Sequence, residues 1–263
     1  MSRPVAVVTG AARGIGAAVA EGLAVAGWDL VLGDVATPDA VPGLTYPLAT
    51  AADLDETARR CEKAGALVTA ASCDVRDEDG VDALVGTAGD GVRAAVAVAG
   101  VLGADGPAWE QSTADLDRDL SVNLHGVANL ARAAVPVFLA GPDPARCRFV
   151  AVVSSAAGRG LPRLASYVAS KHAALGFVRS LAADLAPHGV TANAVLPGST
   201  RTRLLERTAA AYDLPDAEAF AGRQRVGRLL EPAEVAAAVV WLCSAGASGT
   251  TGTALGVDGG FTG

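Results

Sequence analysis

A short apolar run, Pro4 to Thr9, leads straight into Thr9-Gly10-Ala11-Ala12-Arg13-Gly14-Ile15-Gly16, and helical periodicity follows to Ala26. This strand, glycine turn and helix constrain the fold more than any other part of the chain. Gly10 permits a tight turn, while Gly14 and Gly16 let the backbone approach a diphosphate and let the helix pack on the strand. The helix start adds unpaired N–H groups and the positive end of a dipole. In this context the loop predicts a dinucleotide site formed by Gly10, Arg13, Gly14, Ile15 and Gly16.

The same alternation continues along the chain. Strand patterns fall at Trp28–Asp34, Leu67–Cys73, Val92–Val98, Arg148–Val153, Val190–Leu196 and Ala254–Val257. Helical patterns fall at Asp53–Ala64, Thr113–Leu139 (broken late by Pro136), Leu164–Ala186 and Pro232–Ser244. The pattern predicts an α/β Rossmann-type fold, a doubly wound parallel sheet of about seven strands with helices on both faces. With 51% hydrophobic but only 4% aromatic residues, Ala, Val, Leu and Gly supply the apolar content that close helix–sheet packing needs. Without a repeat or linker, residues 1–263 read as a single domain. Two segments interrupt the alternation. Residues 35–50 form a long insertion whose Tyr46-Pro47-Leu48 tip favours packing over solvation. Residues 198–227 mix Leu204, Leu205, Tyr212 and Phe220 with arginines and suit a substrate lid.

A net charge of −7 argues against a nucleic-acid surface. The apolar runs are too short to span a membrane, and no secretory signal pattern opens the chain, so a cytoplasmic protein is expected. Cys61, Cys73, Cys147 and Cys243 form no paired motif, and no Cys/His spacing suits a metal. They are expected to be buried thiols, and no metal site is expected. His125, His172 and His188 suit helix-surface or capping positions.

Asp34 ends the second strand, where a carboxylate accepts hydrogen bonds from a ribose 2′-hydroxyl and repels a 2′-phosphate. It favours NAD over NADP, although Arg13 pulls the other way. Tyr167 and Lys171 are four apart on a helix and share a face. A Ser-Ser-Ala-Ala-Gly turn brings Ser154 or Ser155 near the phenol. An ammonium beside a phenolate lowers the phenol's pKa, which makes Tyr167 a candidate acid/base near neutrality.

Taken in order, several motifs resemble the classical short-chain dehydrogenase/reductase family over nearly the whole chain. They are Thr9-Gly10-x-x-x-Gly14-x-Gly16, Cys73-Asp74-Val75, Ala99-Gly100, Val122-Asn123, Ser154-Ser155, Tyr167-x-x-x-Lys171, Pro197-Gly198-x-x-x-Thr202 and Val257-Asp258-Gly259-Gly260. The resemblance implies that Ser155 holds the substrate oxygen and Tyr167 exchanges the alcohol proton. Lys171 would bind the nicotinamide ribose and tune Tyr167, and Asn123 would anchor a relay water. Asp74 and Val75 would flank the adenine, Ala99 and Gly100 would border the cofactor, and Pro197, Gly198, Thr200 and Thr202 would wrap the nicotinamide amide and phosphates. Two departures stand out. Ala97 and Val98 replace the usual asparagines, and the turn from Gly158 to Tyr167 is one residue short. Aligning on the turn selects Ser155, whereas counting back from Tyr167 selects Ser154.

The insertion and the Asp53-Leu54-x-Glu56-Thr57 helix are similar to the mycofactocin-associated, carveol-dehydrogenase-like subgroup. This resemblance implies hydride transfer between a secondary alcohol or ketone and an NAD that stays bound and is reoxidised by mycofactocin. An ordinary ketoacyl or steroid reductase with exchanging NAD(P) is the alternative, and a non-catalytic dinucleotide-binding protein a third. The family also implies a homotetramer.

Overall fold

The computed structural model describes residues 3–261. Met1, Ser2, Thr262 and Gly263, the ends of the expected domain, lie outside the described residues. Seven strands form one parallel sheet: β1 (Val5–Thr9), β2 (Asp29–Asp34), β3 (Val68–Ser72), β4 (Val92–Ala97), β5 (Arg148–Val152), β6 (Thr191–Pro197) and β7 (Ala254–Val257). Their spatial order is β3-β2-β1-β4-β5-β6-β7. The order reverses between β1 and β4, and in sheets of this kind ligands bind in the crevice beyond the strand ends at that point. Thr9 there stands opposite both Gly33 and Ala97.

Alternate residues of each strand feed opposite layers. On one face Ala6, Val8, Leu30, Leu32, Val96, Val150 and Val195 pack with α1 (Gly14–Val25) and α8 (Pro232–Cys243). On the other, Val7, Val31, Ala95, Phe149 and Ala194 pack with α3 (Glu78–Gly86), α5 (Gly126–Ala140) and α6 (Ala165–Leu185). The four cysteines are free and buried. Among the described residues no helix is long and apolar enough to cross a membrane.

Three helical readings need correction. The short helix α3 escaped the periodicity, although Asp77 caps it by accepting from the Asp79 N–H at 3.2 Å. Helix α2 (Ala51–Lys63) starts two residues before Asp53, because Thr50 and Asp53 form a reciprocal capping box. The expected single helix over 113–139 is α4 (Thr113–Leu120), a π turn at Ser121–His125, and then α5. Pro136 does not end α5, which runs four residues further; its ring is exposed, so water satisfies the carbonyl that loses its partner.

The insertion packs against the body. Val41 and Leu48 are buried with Val75, Val101 and Val122. Three arginines donate to its carbonyls: Arg76 to Ala40 at 2.7 Å, Arg118 to Pro42 at 2.9 Å and Arg13 to Pro47 at 2.9 Å. In the 198–227 segment, α7 (Arg203–Ala211) is capped by Thr202, and a 3-10 turn spans Ala217–Arg223.

Candidate active site

The strand ends, the insertion and α7 enclose a cleft of about 530 Å³. All the residues expected to hold the cofactor line it, from Gly10 to Thr202, and so do Tyr167 and Lys171. Asn123 stands just behind its wall.

The glycine turn is built to admit a flat, charged ligand. Gly10 has φ +69°, and a Cβ there would sit 2.5 Å from the Ala99 nitrogen. At Gly16 a Cβ would come within 1.9 Å of the Gly10 carbonyl oxygen. Helix α1 opens with neither a side-chain cap nor an acidic residue in its first turn, so its N–H groups face the cleft uncompensated. Arg13 adds a buried Nη1 without a partner. Burial and the neighbouring Arg203 both hold its pKa below the usual guanidinium range. Two cations and an open helix start at one point fit a diphosphate.

Asp34 accepts from the Ala12 N–H at 2.9 Å and the Val35 N–H at 2.8 Å, which fixes its carboxylate at the end of β2. Each oxygen keeps a lone pair for a ribose hydroxyl. Burial raises its pKa, against those two backbone bonds. Asp74 is engaged with Arg76 at 2.6 Å, leaving Val75 as the apolar neighbour of the cleft. Val98, in place of an asparagine, donates its backbone N–H to Thr9 at 3.2 Å and packs against the buried layer.

At the other end, Tyr167 and Lys171 are buried, with the Lys171 Nζ 5.7 Å from the Tyr167 ring centroid. Of the two candidate serines, Ser154 lies near enough to the Tyr167 phenol to act on its titration, and its Oγ accepts from the Ala156 N–H at 3.0 Å, while Ser155 begins a 3-10 turn lining the cleft. Both serines line the cleft, Ser154 on the side of the phenol and Ser155 at the head of the turn. In the short loop before Tyr167, Arg163 has φ +64°.

The expected lowering of the phenol pKa is also corrected. Burial pushes Tyr167 up to about 12, against the Ser154 side chain. The same burial pushes Lys171 down to about 8. Desolvation disfavours the charged form of each group.

Both donors of Asn123 are engaged: Nδ2 donates to the Val101 carbonyl and to Ser170 Oγ, both at 2.9 Å, while Oδ1 accepts from the Val101 N–H at 2.9 Å. Two further residues were not anticipated. Tyr46, from the insertion, accepts from the Leu102 N–H at 3.0 Å and lines the cleft. Asp119 is completely buried and lies four residues before Asn123. The Tyr-Pro-Leu tip was the signal for the first, and the i, i+4 spacing from Asn123 the signal for the second. His125, His172 and His188 are exposed, and no group of His, Cys, Asp and Glu among the described residues could hold a metal.

A parallel sheet with this crevice, glycine turn and buried tyrosine–lysine pair defines an oxidoreductase of the Rossmann type. The chain belongs to the short-chain dehydrogenase/reductase family; residues 10–262 match the family model described as enoyl-(acyl carrier protein) reductase. It is 37% identical to (-)-trans-carveol dehydrogenase of Rhodococcus erythropolis, over 98% of this chain and 97% of the relative. It is also 37% identical to cis-4-hydroxycyclohexanecarboxylate dehydrogenase of Sinomonas cyclohexanicum, over 98% and 96%. The crystal structure of carveol dehydrogenase from Mycobacterium avium in complex with NAD superposes with a TM-score of 0.91 at 29% identity, covering 98% of this chain and 96% of that one.

Proposed function

We propose that this protein is an NAD-dependent dehydrogenase that oxidises a secondary alcohol on a small ring, or reduces the corresponding ketone. The observation that carries the reading is the Ser154–Tyr167–Lys171 group at the floor of the cleft whose other end holds Asp34 and the glycine turn. The relatives named for carveol and for a hydroxycyclohexane acid support a cyclic secondary alcohol, as do Leu161, Leu164, Leu204 and Tyr212 on the apolar side of the cleft.

NAD, when bound, supplies the hydride acceptor and a positive ring beside the phenol. Arg13 and the start of α1 hold the diphosphate, and Asp34 takes the adenosine ribose hydroxyls. Pro197, Gly198, Thr200 and Thr202 border the nicotinamide end, and Lys171 holds its ribose. Ser154 fixes the alcohol oxygen, and Tyr167 Oη removes its proton. Asn123, tied to Val101 and Ser170, keeps a lone pair on Oδ1 with which it would anchor a relay water. The oxidising direction needs the phenolate of a group whose pKa is pushed up to about 12. Alcohol oxidation therefore rises with pH across the neutral range, while ketone reduction, which needs the neutral phenol, does not.

The insertion, pinned by Arg13, Arg76 and Arg118, supports the finer reading that NAD stays bound between turnovers and is reoxidised in place by mycofactocin. The chain is proposed to act as a cytoplasmic homotetramer and as one domain over 1–263. Desalting the purified protein tests the finer reading. NAD that remains bound, and alcohol oxidation sustained by an artificial electron acceptor without added NAD, are expected. An empty site that turns over added NAD would leave an ordinary dehydrogenase.

A further inference from the structure

Asp119 and Asn123 form two rungs between the same pair of elements. Asn123 grips Val101 in the loop after β4 and Ser170 on α6. Four residues earlier, Asp119 Oδ1 accepts from the Gly103 N–H and Oδ2 accepts from Ser166 Oγ, both at 2.9 Å. Ser166 and Ser170 each directly precede a member of the Tyr167/Lys171 pair. The second rung fits closely, since a Cβ on Gly103 would lie 2.8 Å from Asp119 Oδ1.

An amide makes one rung, and an amide would make the same two bonds at the other. The chain instead buries a carboxylate completely, which costs several kcal/mol unless an opposite charge faces it. Two cations do so. Arg118 is one: its Nη1 and Asp119 Oδ1 approach the same point over Gly103, 3.0 and 2.8 Å from where a Cβ would sit, while the guanidinium also pairs with Asp115 at 2.9 Å and donates to the Pro42 carbonyl at 2.9 Å; against both cations, burial raises the Asp119 pKa. The other is Lys171, fully buried, on which no other described anion acts. The remaining titratable groups near Asp119 are Arg207, which donates to the Gly103 carbonyl at 3.2 Å and pairs with Asp105, and the phenols of Tyr167 and of Tyr46 from the insertion, both neutral.

We propose that Asp119 is the buried counter-charge of Lys171, a positioning residue that keeps the ammonium protonated at the cleft floor while tying α6 to the loop at Gly103. This rests on the reading of Tyr167 and Lys171 as the reacting pair. Asp119 reaches substrate and cofactor only through that pair. Its negative charge favours the ammonium and opposes both phenolates, so neutralising it lowers the pKa of Lys171 and of the phenols together.

Lys63 and Lys171 are the only lysines in the chain, so lysine-selective NMR of the full-length protein resolves the group directly, with Lys63→Arg assigning the signals. The Lys171 resonance is expected to titrate near about 8. Asp119→Asn keeps both rung bonds and Asp119→Val keeps neither, yet both remove the charge. Both are expected to lower the Lys171 midpoint by about one unit or more. A midpoint unchanged from wild type in either folded variant overturns the proposal. The readout needs no turnover: a protein that oxidises no alcohol would defeat the functional reading, whereas an unmoved lysine would defeat only this one.

Discussion

The insertion and the lid segment face each other across the same cleft and are held by different forces. The insertion is fixed through its backbone: three arginines donate to its carbonyls, and Val41 and Leu48 are buried in the body. The lid buries Ala209, Ala211 and Phe220 and adds charged side chains that reach the body. Arg207 on α7 pairs with Asp105 at 2.6 Å and donates to the Gly103 carbonyl, Arg163 pairs with Asp105 and Asp213, and the Tyr212 hydroxyl donates to the Pro162 carbonyl. Backbone anchoring with apolar burial makes a wall, because its buried Val41 and Leu48 cannot be exposed to water at low cost. Ion pairs that reach the surface, such as Arg163–Asp213, make a latch, because water and salt compete for them. The difference suits a cofactor that stays while substrate and product come and go.

The largest effect that would break this comparison is expected at Leu48. Leu48→Asp places a charge among Val41, Val75 and Val122, at about 2–3 kcal/mol of lost insertion packing. NAD release, followed by stopped-flow fluorescence, should quicken by about a hundredfold with the alcohol KM unchanged; unchanged release would mean that the insertion is not the wall. Next comes Arg207→Ala on the lid. Its guanidinium is nearly buried, and losing charged hydrogen bonds of that kind costs about 1.5–3 kcal/mol. The alcohol KM should rise about tenfold or more with NAD affinity held, and a matching loss of NAD affinity would erase the distinction between the two elements. The smallest effect is expected for Asp213→Asn. Its carboxylate is largely exposed, so the pair is worth about 0.5 kcal/mol. Its KM should change about twofold at low salt and not at all at high salt; a tenfold change would mean that this exposed pair latches the lid.

The frame was legible because its signals are local. The glycine turn, Asp34 at the end of β2 and the pairing of Tyr167 with Lys171 each follow from residue type and spacing, and the sheet followed from apolar runs. The errors arose where a contact outweighed a local pattern. The Ser-x-x-Gly turn pointed to Ser155 and the count back from Tyr167 to Ser154, and the local pattern alone could not tell which of two serines on the same cleft faces the phenol. Lys171 suggested a lowered phenol pKa, yet desolvation dominates when both groups are buried. The spacing of Asp119 from Asn123 was its one local signal; its partners, Gly103 and Ser166, are distant in sequence and meet only when α4 and α6 pack. Pro136 pointed to a helix end, but on an exposed face its missing N–H costs little.

Tyr167→Phe, studied with NAD bound and a cyclic secondary alcohol supplied, tests the central claim most directly. Removing the phenol oxygen should slow alcohol oxidation by about a thousandfold while the protein still folds and binds NAD as the wild type does. Oxidation within about tenfold of wild type at full NAD occupancy would show that the proton leaves by another route and that this tyrosine is not its acceptor.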